Sequence, residues 1–184
     1  MKFSCKLVSV SLAVMLGLGT ASFFAHATVG GASMLTSKDI FDNAANSRDH
    51  TTLVAALKVA GLVDGLKSAG PFTFFAPTNA AFAALPAGTA DSLLRLENKG
   101  MLIGVLTYHL VPGMVDAAAL NRMIMDGNGS TTFKTVAGGM LTARSVGGKV
   151  VITDEKGGSS TVTIADVYQS NGVTHVVDKV LMPN

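Results

Sequence analysis

Cysteine is almost absent from this sequence of 184 residues. The single cysteine is Cys5, and residues 28–184 contain none. Without a thiol, that part of the chain has no disulfide framework, no thiolate metal ligand and no cysteine nucleophile. We therefore expect its stability to come from the packing of apolar side chains.

Charge of either sign is also scarce, at 14% of residues. Lys2 and Lys6 fall in the first 27 residues, and the rest of the chain carries twelve Lys and Arg against twelve Asp and Glu. No run of Lys and Arg is present that could neutralise a row of phosphates. The sequence thus argues against nucleic acid as a partner.

The one long apolar run lies at the amino end. Leu7 to Leu18 follows the two lysines and precedes Ala25-His26-Ala27, a small-x-small cleavage site. The run is too short to span a bilayer, which takes about 20 residues. We predict that residues 1–27 are a cleavable signal peptide, that no transmembrane anchor remains after cleavage, and that the mature chain is secreted, periplasmic or associated with the cell surface.

The remaining 157 residues have the size of one domain. Residues 28–35 contain Gly30-Gly31 and are predicted to be a flexible lead, and residues 36–184 to be a single folded domain. Helical periodicity dominates its first half, with a cap predicted at Thr36, Thr78 and Asp116. The second half has paired strand patterns around Gly147-Gly148 and around Ser170-Asn171-Gly172, where a type I′ turn is expected. This order predicts an α+β fold on a mainly antiparallel sheet.

Three segments resemble the motifs of one family. They are Phe72-Thr73-Phe74-Phe75-Ala76-Pro77-Thr78-Asn79-Ala80-Ala81-Phe82, then Thr107-Tyr108-His109-Leu110-Val111-Pro112-Gly113, then Asn171-Gly172-Val173-Thr174-His175-Val176-Val177-Asp178-Lys179-Val180-Leu181-Met182-Pro183. Together, in this order, they resemble a fasciclin domain. The resemblance implies a wedge or sandwich of about seven mainly antiparallel strands beside several helices. It also implies a non-enzymatic module for cell adhesion or for binding protein or matrix.

Most residues of these motifs are predicted to be structural. Short aromatic strands are usually core, and Thr and Asn favour helix caps and local backbone bonds. The motif residues assigned this role are Phe74, Phe75, Pro77, Thr78, Asn79, Phe82, Asn171, Gly172, His175 and Asp178.

Tyr108 and His109 are the candidate partner-binding residues. The resemblance implies such a role, because in some animal relatives the Tyr-His segment is credited with integrin recognition. The alternative is a structural pair at a core junction, since Leu106, Leu110 and Val111 beside it are apolar. The signal suits bacterial export, so the predicted partner is an unidentified extracytoplasmic protein or matrix component rather than an integrin.

Other site chemistries have little support. No cofactor, metal or catalytic residue is predicted. Gly157-Gly158-Ser159-Ser160 has the pattern of a loop rather than of the nucleophile turn of a hydrolase. His50 is expected at the surface or as a helix cap rather than as a metal ligand. A second hypothesis is a carrier or sensor of a small apolar or lipid-like ligand. It rests on the low charge and on Met114, Met123, Met125 and Met140, which are otherwise expected to pack in the core.

Overall fold

The computed structural model describes residues 27–184. In this range the helices are α1 Ile40–Asn46, α2 Thr51–Ala60, α3 Val63–Lys67, α4 Asn79–Ala83, α5 Thr89–Leu93, α6 Lys99–Tyr108 and α7 Ala117–Asp126. The strands are β1 Thr28–Val29, β2 Ala32–Ser33, β3 Phe72–Pro77, β4 Leu110–Pro112, β5 Ser130–Lys134, β6 Met140–Val146, β7 Lys149–Thr153, β8 Ser159–Gln169 and β9 Gly172–Val177. Two single 3₁₀ turns, Arg48–His50 and Leu96–Asn98, complete the described elements. The predicted signal lies outside the described residues, apart from Ala27.

The main sheet has seven strands in the order β4-β3-β9-β8-β7-β6-β5. All of its neighbouring pairs are antiparallel except β3 and β9, which run parallel from Phe72↔Gly172 to Pro77↔Val177. The closing strand of the chain is therefore central. Every residue of β9 is buried, which explains why both of its faces are largely apolar. The predicted α+β fold with about seven mainly antiparallel strands is confirmed.

Two hydrophobic clusters lie on the two sides of β3. Successive residues of a strand point to opposite faces, and accordingly Phe74 packs with α1, α2 and α6, whereas Phe75 packs with α7 and with β5, β6 and β7. Phe82 of α4 belongs to the first cluster. Pro77 closes β3 opposite Val177. No helix in residues 27–184 is both long and apolar enough to cross a membrane.

Local capping signals explain several helix boundaries. The Thr78 hydroxyl accepts the Ala81 amide at the start of α4, and the Asp116 carboxylate accepts the Ala119 amide at the start of α7. The first helix differs from the prediction. Its cap is Asp39, which accepts the Asp42 amide, rather than Thr36 three residues earlier.

Residues 28–35 do not form the flexible lead that was predicted. β1 and β2 make a small antiparallel hairpin around Gly30-Gly31, and Val29 and Met34 are buried at 2% and 4% exposure. Both side chains pack against Val167 and Val176 of the main sheet. The glycines allow the tight turn, while the flanking apolar residues anchor it to the domain.

The hairpin between β8 and β9 is present, but its turn is not type I′. The turn residues are Ser170 and Asn171, and neither has the positive φ that a type I′ turn requires. Gly172 is the first residue of β9 instead. A Cβ atom at Gly172 would overlap the carbonyl oxygen of Phe72, so the close approach of two parallel strands requires glycine there.

This close approach generates a stability prediction. Gly172→Ala should lower the free energy of unfolding by about 2–3 kcal/mol, because the new methyl group must push β3 and β9 apart. Gly100→Ala is the control: Gly100 is helical with open space around its Cβ position, so the change should be neutral or stabilising by up to about 1 kcal/mol. Urea denaturation at fixed pH measures both. A Gly172→Ala midpoint equal to that of the wild type would contradict this account.

Candidate functional site

Tyr108 and His109 lie where α6 ends and β4 begins, and both are inside the protein. Tyr108 has 0% and His109 1% of its surface exposed. The direct partner contact predicted for these side chains requires an exposure that neither has. The structure instead places them at a junction of four segments that are distant in the sequence.

The Tyr108 hydroxyl joins two of these segments. It donates to the carbonyl oxygen of Met140 at 2.7 Å and accepts the amide of Glu155 at 3.1 Å. The Glu155 carboxylate in turn accepts the Met140 amide at 2.9 Å. The β5–β6 corner, residues 135–140, is thereby tied to the loop between β7 and β8. The same corner covers the Tyr108 ring so closely that a Cβ at Gly139 would meet it at 2.7 Å.

The His109 ring binds the carboxy-terminal tail. Its Nε2 lies 3.0 Å from the Leu181 amide, which can only donate, so Nε2 accepts and the proton sits on Nδ1. Nδ1 then donates to the Val105 carbonyl at 2.8 Å. Burial lowers the pKa of His109 to about 4, because the charged imidazolium would lose its hydration. The ring is therefore neutral near pH 7.

Residues 178–182 follow the last strand and, beyond one backbone bond from the Asp178 amide to the Thr161 carbonyl, are held mainly by side chains. The Asp178 carboxylate accepts the Thr161 amide at 2.7 Å and the Ser160 hydroxyl at 3.1 Å. Ser160 also accepts the Lys179 amide, and the buried Asp154 accepts the Met182 amide at 3.0 Å. Together with His109, these groups fix the tail across the second hydrophobic cluster.

Asn79 and Asn171 cap elements far away in the sequence. The Asn79 amide oxygen accepts the Thr52 amide at the start of α2, where His50 supplies no side-chain cap, and its nitrogen donates to the Arg48 carbonyl. The Asn171 oxygen accepts the Ile40 amide of α1, and its nitrogen donates to the Leu66 and Ser68 carbonyls around the end of α3. Each asparagine therefore orients helices relative to the sheet.

His175 of β9 is fully buried and connects the sheet to α7. Its Nε2 donates to the Val115 carbonyl at 2.8 Å, and its Nδ1 faces the Asp166 amide at 3.4 Å. Asp166 has a left-handed backbone with φ 59°, and its carboxylate accepts the Ala117 amide in the first turn of α7. Burial lowers the pKa of His175 as well. The ring stacks on Phe75, with centroids 5.7 Å apart.

Two expectations about other residues are wrong. His50 is buried rather than at the surface, with Nδ1 3.0 Å from the Ser47 hydroxyl, and burial lowers its pKa. It stands at the N-cap position of α2, as the alternative expected, but its side chain makes no capping bond. Met114, Met123, Met125 and Met140 do not pack in the core but are exposed.

Among residues 27–184, no group of three or more His, Cys, Asp and Glu side chains is placed to hold a metal ion.

The structure is a small α+β wedge domain. Helices cover its mixed sheet, the buried Tyr108-His109 pair joins its segments, and the tail of residues 178–182 is hydrogen-bonded across the core. The family model described as fasciclin domain matches residues 48–183. This chain belongs to the fasciclin domain family.

Relatives and a solved structure extend this assignment. Protein sll1483 of Synechocystis is 46% identical over 157 residues, covering 85% of this chain and 80% of that protein. Immunogenic protein MPT70 of Mycobacterium tuberculosis is 35% identical over 176 residues, covering 92% and 82%. A FAS1 domain pair from the insect cell adhesion molecule fasciclin I has the same fold, with a TM-score of 0.70 at 19% identity. The match covers 79% of this chain and 51% of that chain, about half its length.

The junction generates a pH-dependence prediction. The unfolded chain binds a proton at His109 near the ordinary pKa of 6.5, whereas the folded chain binds it only near 4. The stability from neutral His109 is therefore fully present above pH 6.5 and is lost as the pH falls towards 4. Between pH 7 and pH 4.5, His109 should account for roughly 2–3 kcal/mol of lost unfolding free energy.

Urea midpoints of the wild type and His109→Gln at both pH values measure this contribution. His50 and His175 act in the same direction and remain in both proteins, so the comparison isolates His109. The variant, although less stable at pH 7, should lose clearly less stability on acidification. An equal loss in both proteins would show that His109 is not the buried neutral group described above.

Proposed function

We propose that this chain is an exported, non-enzymatic binding module that contributes to adhesion or to association with protein or matrix outside the cytoplasm. The observation that carries the proposal is membership of the fasciclin domain family across residues 48–183. The structurally similar FAS1 domain pair comes from an insect cell adhesion molecule, which points the same way. A fold alone does not define a function, so a specific surface must be tested.

The β5–β6 corner is the surface that we propose for partner contact. Val136 and Met140 in this corner are 46% and 40% exposed although both are apolar. The backbone of both residues is hydrogen-bonded to the protein interior. The Val136 amide donates to the Leu110 carbonyl, and the Met140 carbonyl accepts the Tyr108 hydroxyl. Tyr108 then acts as a positioning residue beneath an exposed apolar surface, whereas His109 holds the carboxy-terminal tail.

This arrangement supports a binding role on physical grounds. Apolar side chains contribute to association by leaving water, and a backbone that is already fixed loses little entropy on binding. The corner has both properties. The exposed Glu155 carboxylate beside Met140 adds a polar group at its edge.

Export is the other part of the proposal. Its support is the lysine-flanked apolar run followed by Ala25-His26-Ala27. Strand β1 starts at Thr28, directly after the predicted cleavage site, so cleavage there would remove no residue of a strand and would cost the described fold the Ala27 carbonyl that accepts the Met34 amide.

Cleavage after Ala27 can be tested directly. Intact-mass measurement of the exported protein should give a chain that begins at Thr28. Ala27→Asp should accumulate the uncleaved precursor, because cleavage requires a small residue at that position, whereas His26→Ala should be processed as in the wild type. A mature chain that begins elsewhere, or normal cleavage of the Ala27→Asp protein, would contradict the assignment.

The contact surface can be tested with matched variants. Purified domain is applied to an immobilised extract of the cell envelope, and binding is measured by interferometry. Val136→Ser with Met140→Ser should weaken binding at least tenfold, since both apolar contacts are removed. Leu96→Ser with Val146→Ser removes two more exposed apolar side chains elsewhere and should leave binding unchanged.

Two controls make the result decisive. Circular dichroism and urea midpoints must show that both double variants are folded. A photo-crosslinking residue at position 136 should then attach to the captured component, while the same residue at position 96 should not. Equal binding by the two double variants would reject the β5–β6 corner as the contact surface.

A further inference from the structure

An apolar cavity lies between the helical layer and the edge of the sheet. It has a volume of about 280 Å³ and is enclosed by α2, α3 and α6 on one side and by β3 and β4 on the other. Its walls include Leu57, Leu66, Phe72, Phe74, Leu106 and Leu110. The exposed residues Gly65, Ser68 and Val136 also line it, which places its mouth at the surface.

The polarity of the walls limits what can bind. No charged side chain lines the cavity, and its only hydroxyls belong to Ser68 and Thr107. Both hydroxyl hydrogens are already used: Ser68 donates to the Gly65 carbonyl and Thr107 to the Ile103 carbonyl, each at 2.6 Å. The hydroxyl oxygens can still accept a hydrogen bond. A charged ligand would lose its hydration without compensation, whereas a neutral ligand with one hydroxyl donor would not.

The volume limits the size of the ligand. An apolar cavity of roughly 150 Å³ takes up benzene, so a cavity about twice as large accommodates roughly ten to twelve non-hydrogen atoms. Leu62 and Phe72 at the wall are only half-buried, and a bound apolar molecule would cover their remaining surface. Bicyclic aromatic alcohols and monoterpene alcohols match this size and chemistry.

We propose that this cavity is a binding site for a small, uncharged, mainly apolar molecule that carries a hydroxyl group. The methionine-rich segment that suggested an apolar ligand in the sequence does not contribute to it, since none of the lining residues is a methionine. The site differs in chemistry from the protein or matrix contact proposed for the β5–β6 corner, although Val136 belongs to both. If no ligand binds in the cavity, the proposal of partner contact at the β5–β6 corner is unaffected.

The test uses 1-naphthol as the probe and methyl NMR of the folded domain as the readout. Increasing 1-naphthol should cause saturable shifts of the methyl groups of Leu57, Leu66 and Leu106. The methyl groups of Leu120, Ile124 and Ile152 lie in the other hydrophobic cluster and should not move. 1-Naphthoate has the same ring with a carboxylate in place of the hydroxyl, and it should bind at least tenfold more weakly.

Two filling variants connect the binding to the cavity. Gly65 is helical, has no positive φ and has open space at its Cβ position, so Gly65→Leu introduces bulk at the wall without backbone strain. Ser68→Leu fills the mouth from the next turn and also removes one acceptor. Each should weaken 1-naphthol binding at least tenfold. Gly100→Leu adds the same side chain to an exposed helical glycine outside the cavity and should leave the affinity within twofold of the wild type.

Several results would overturn the proposal. These are the absence of shifts at 2 mM 1-naphthol, shifts confined to methyl groups outside the lining, or equally tight binding of 1-naphthoate. Unchanged affinity in both folded filling variants would overturn it too. Envelope binding measured on Gly65→Leu should equal that of the wild type, which separates this site from the β5–β6 corner.

Discussion

The parallel pairing of β3 with β9 is the constraint on which the rest of the structure depends. It brings Phe72 beside Gly172, 100 residues further along the chain, at a distance that only glycine permits. Phe74 and Phe75 then face the two hydrophobic clusters, and the helices and the outer strands pack onto the two sides. Because both strands are central, displacement of either would expose both clusters to water.

Polar side chains, most of them buried, fix how the other elements sit on this pair. Asn79 and Asn171 orient α1 and α2, His175 and Asp166 orient the start of α7, and Tyr108 and His109 hold the β5–β6 corner and the tail. Each of these groups is hydrogen-bonded to backbone atoms of a distant segment, so the loss of one leaves a buried donor or acceptor without a partner. The residues that make the sequence recognisable are thus mainly the residues that join its segments.

The sequence predicted those features that depend on neighbouring residues. The caps at Thr78 and Asp116 and the hairpin at Gly147-Gly148 follow from local backbone preferences, and the resemblance supplied the fold class. It did not predict that Asn79 caps α2, that His50 is buried, or that residues 28–35 pack on the sheet. These outcomes depend on which segments meet in space, and spacing along one chain does not contain that information. The hypothesis of a small apolar ligand did not identify the residues of the apolar cavity for the same reason, since its walls come from five separate elements.

The tethered tail has a consequence for when folding can finish. Residues 178–182 close the second cluster through bonds to His109, Asp154 and Ser160, and β9 precedes them directly. During synthesis, the centre of the sheet cannot assemble until β9 has left the ribosome, because β9 lies between β3 and β8 in the sheet and follows both along the chain. Until then the chain retains unpaired strands and exposed apolar segments. A chain whose strand β3 must wait for a partner 100 residues further along stays unfolded and extended for longer than one that is built from local hairpins alone.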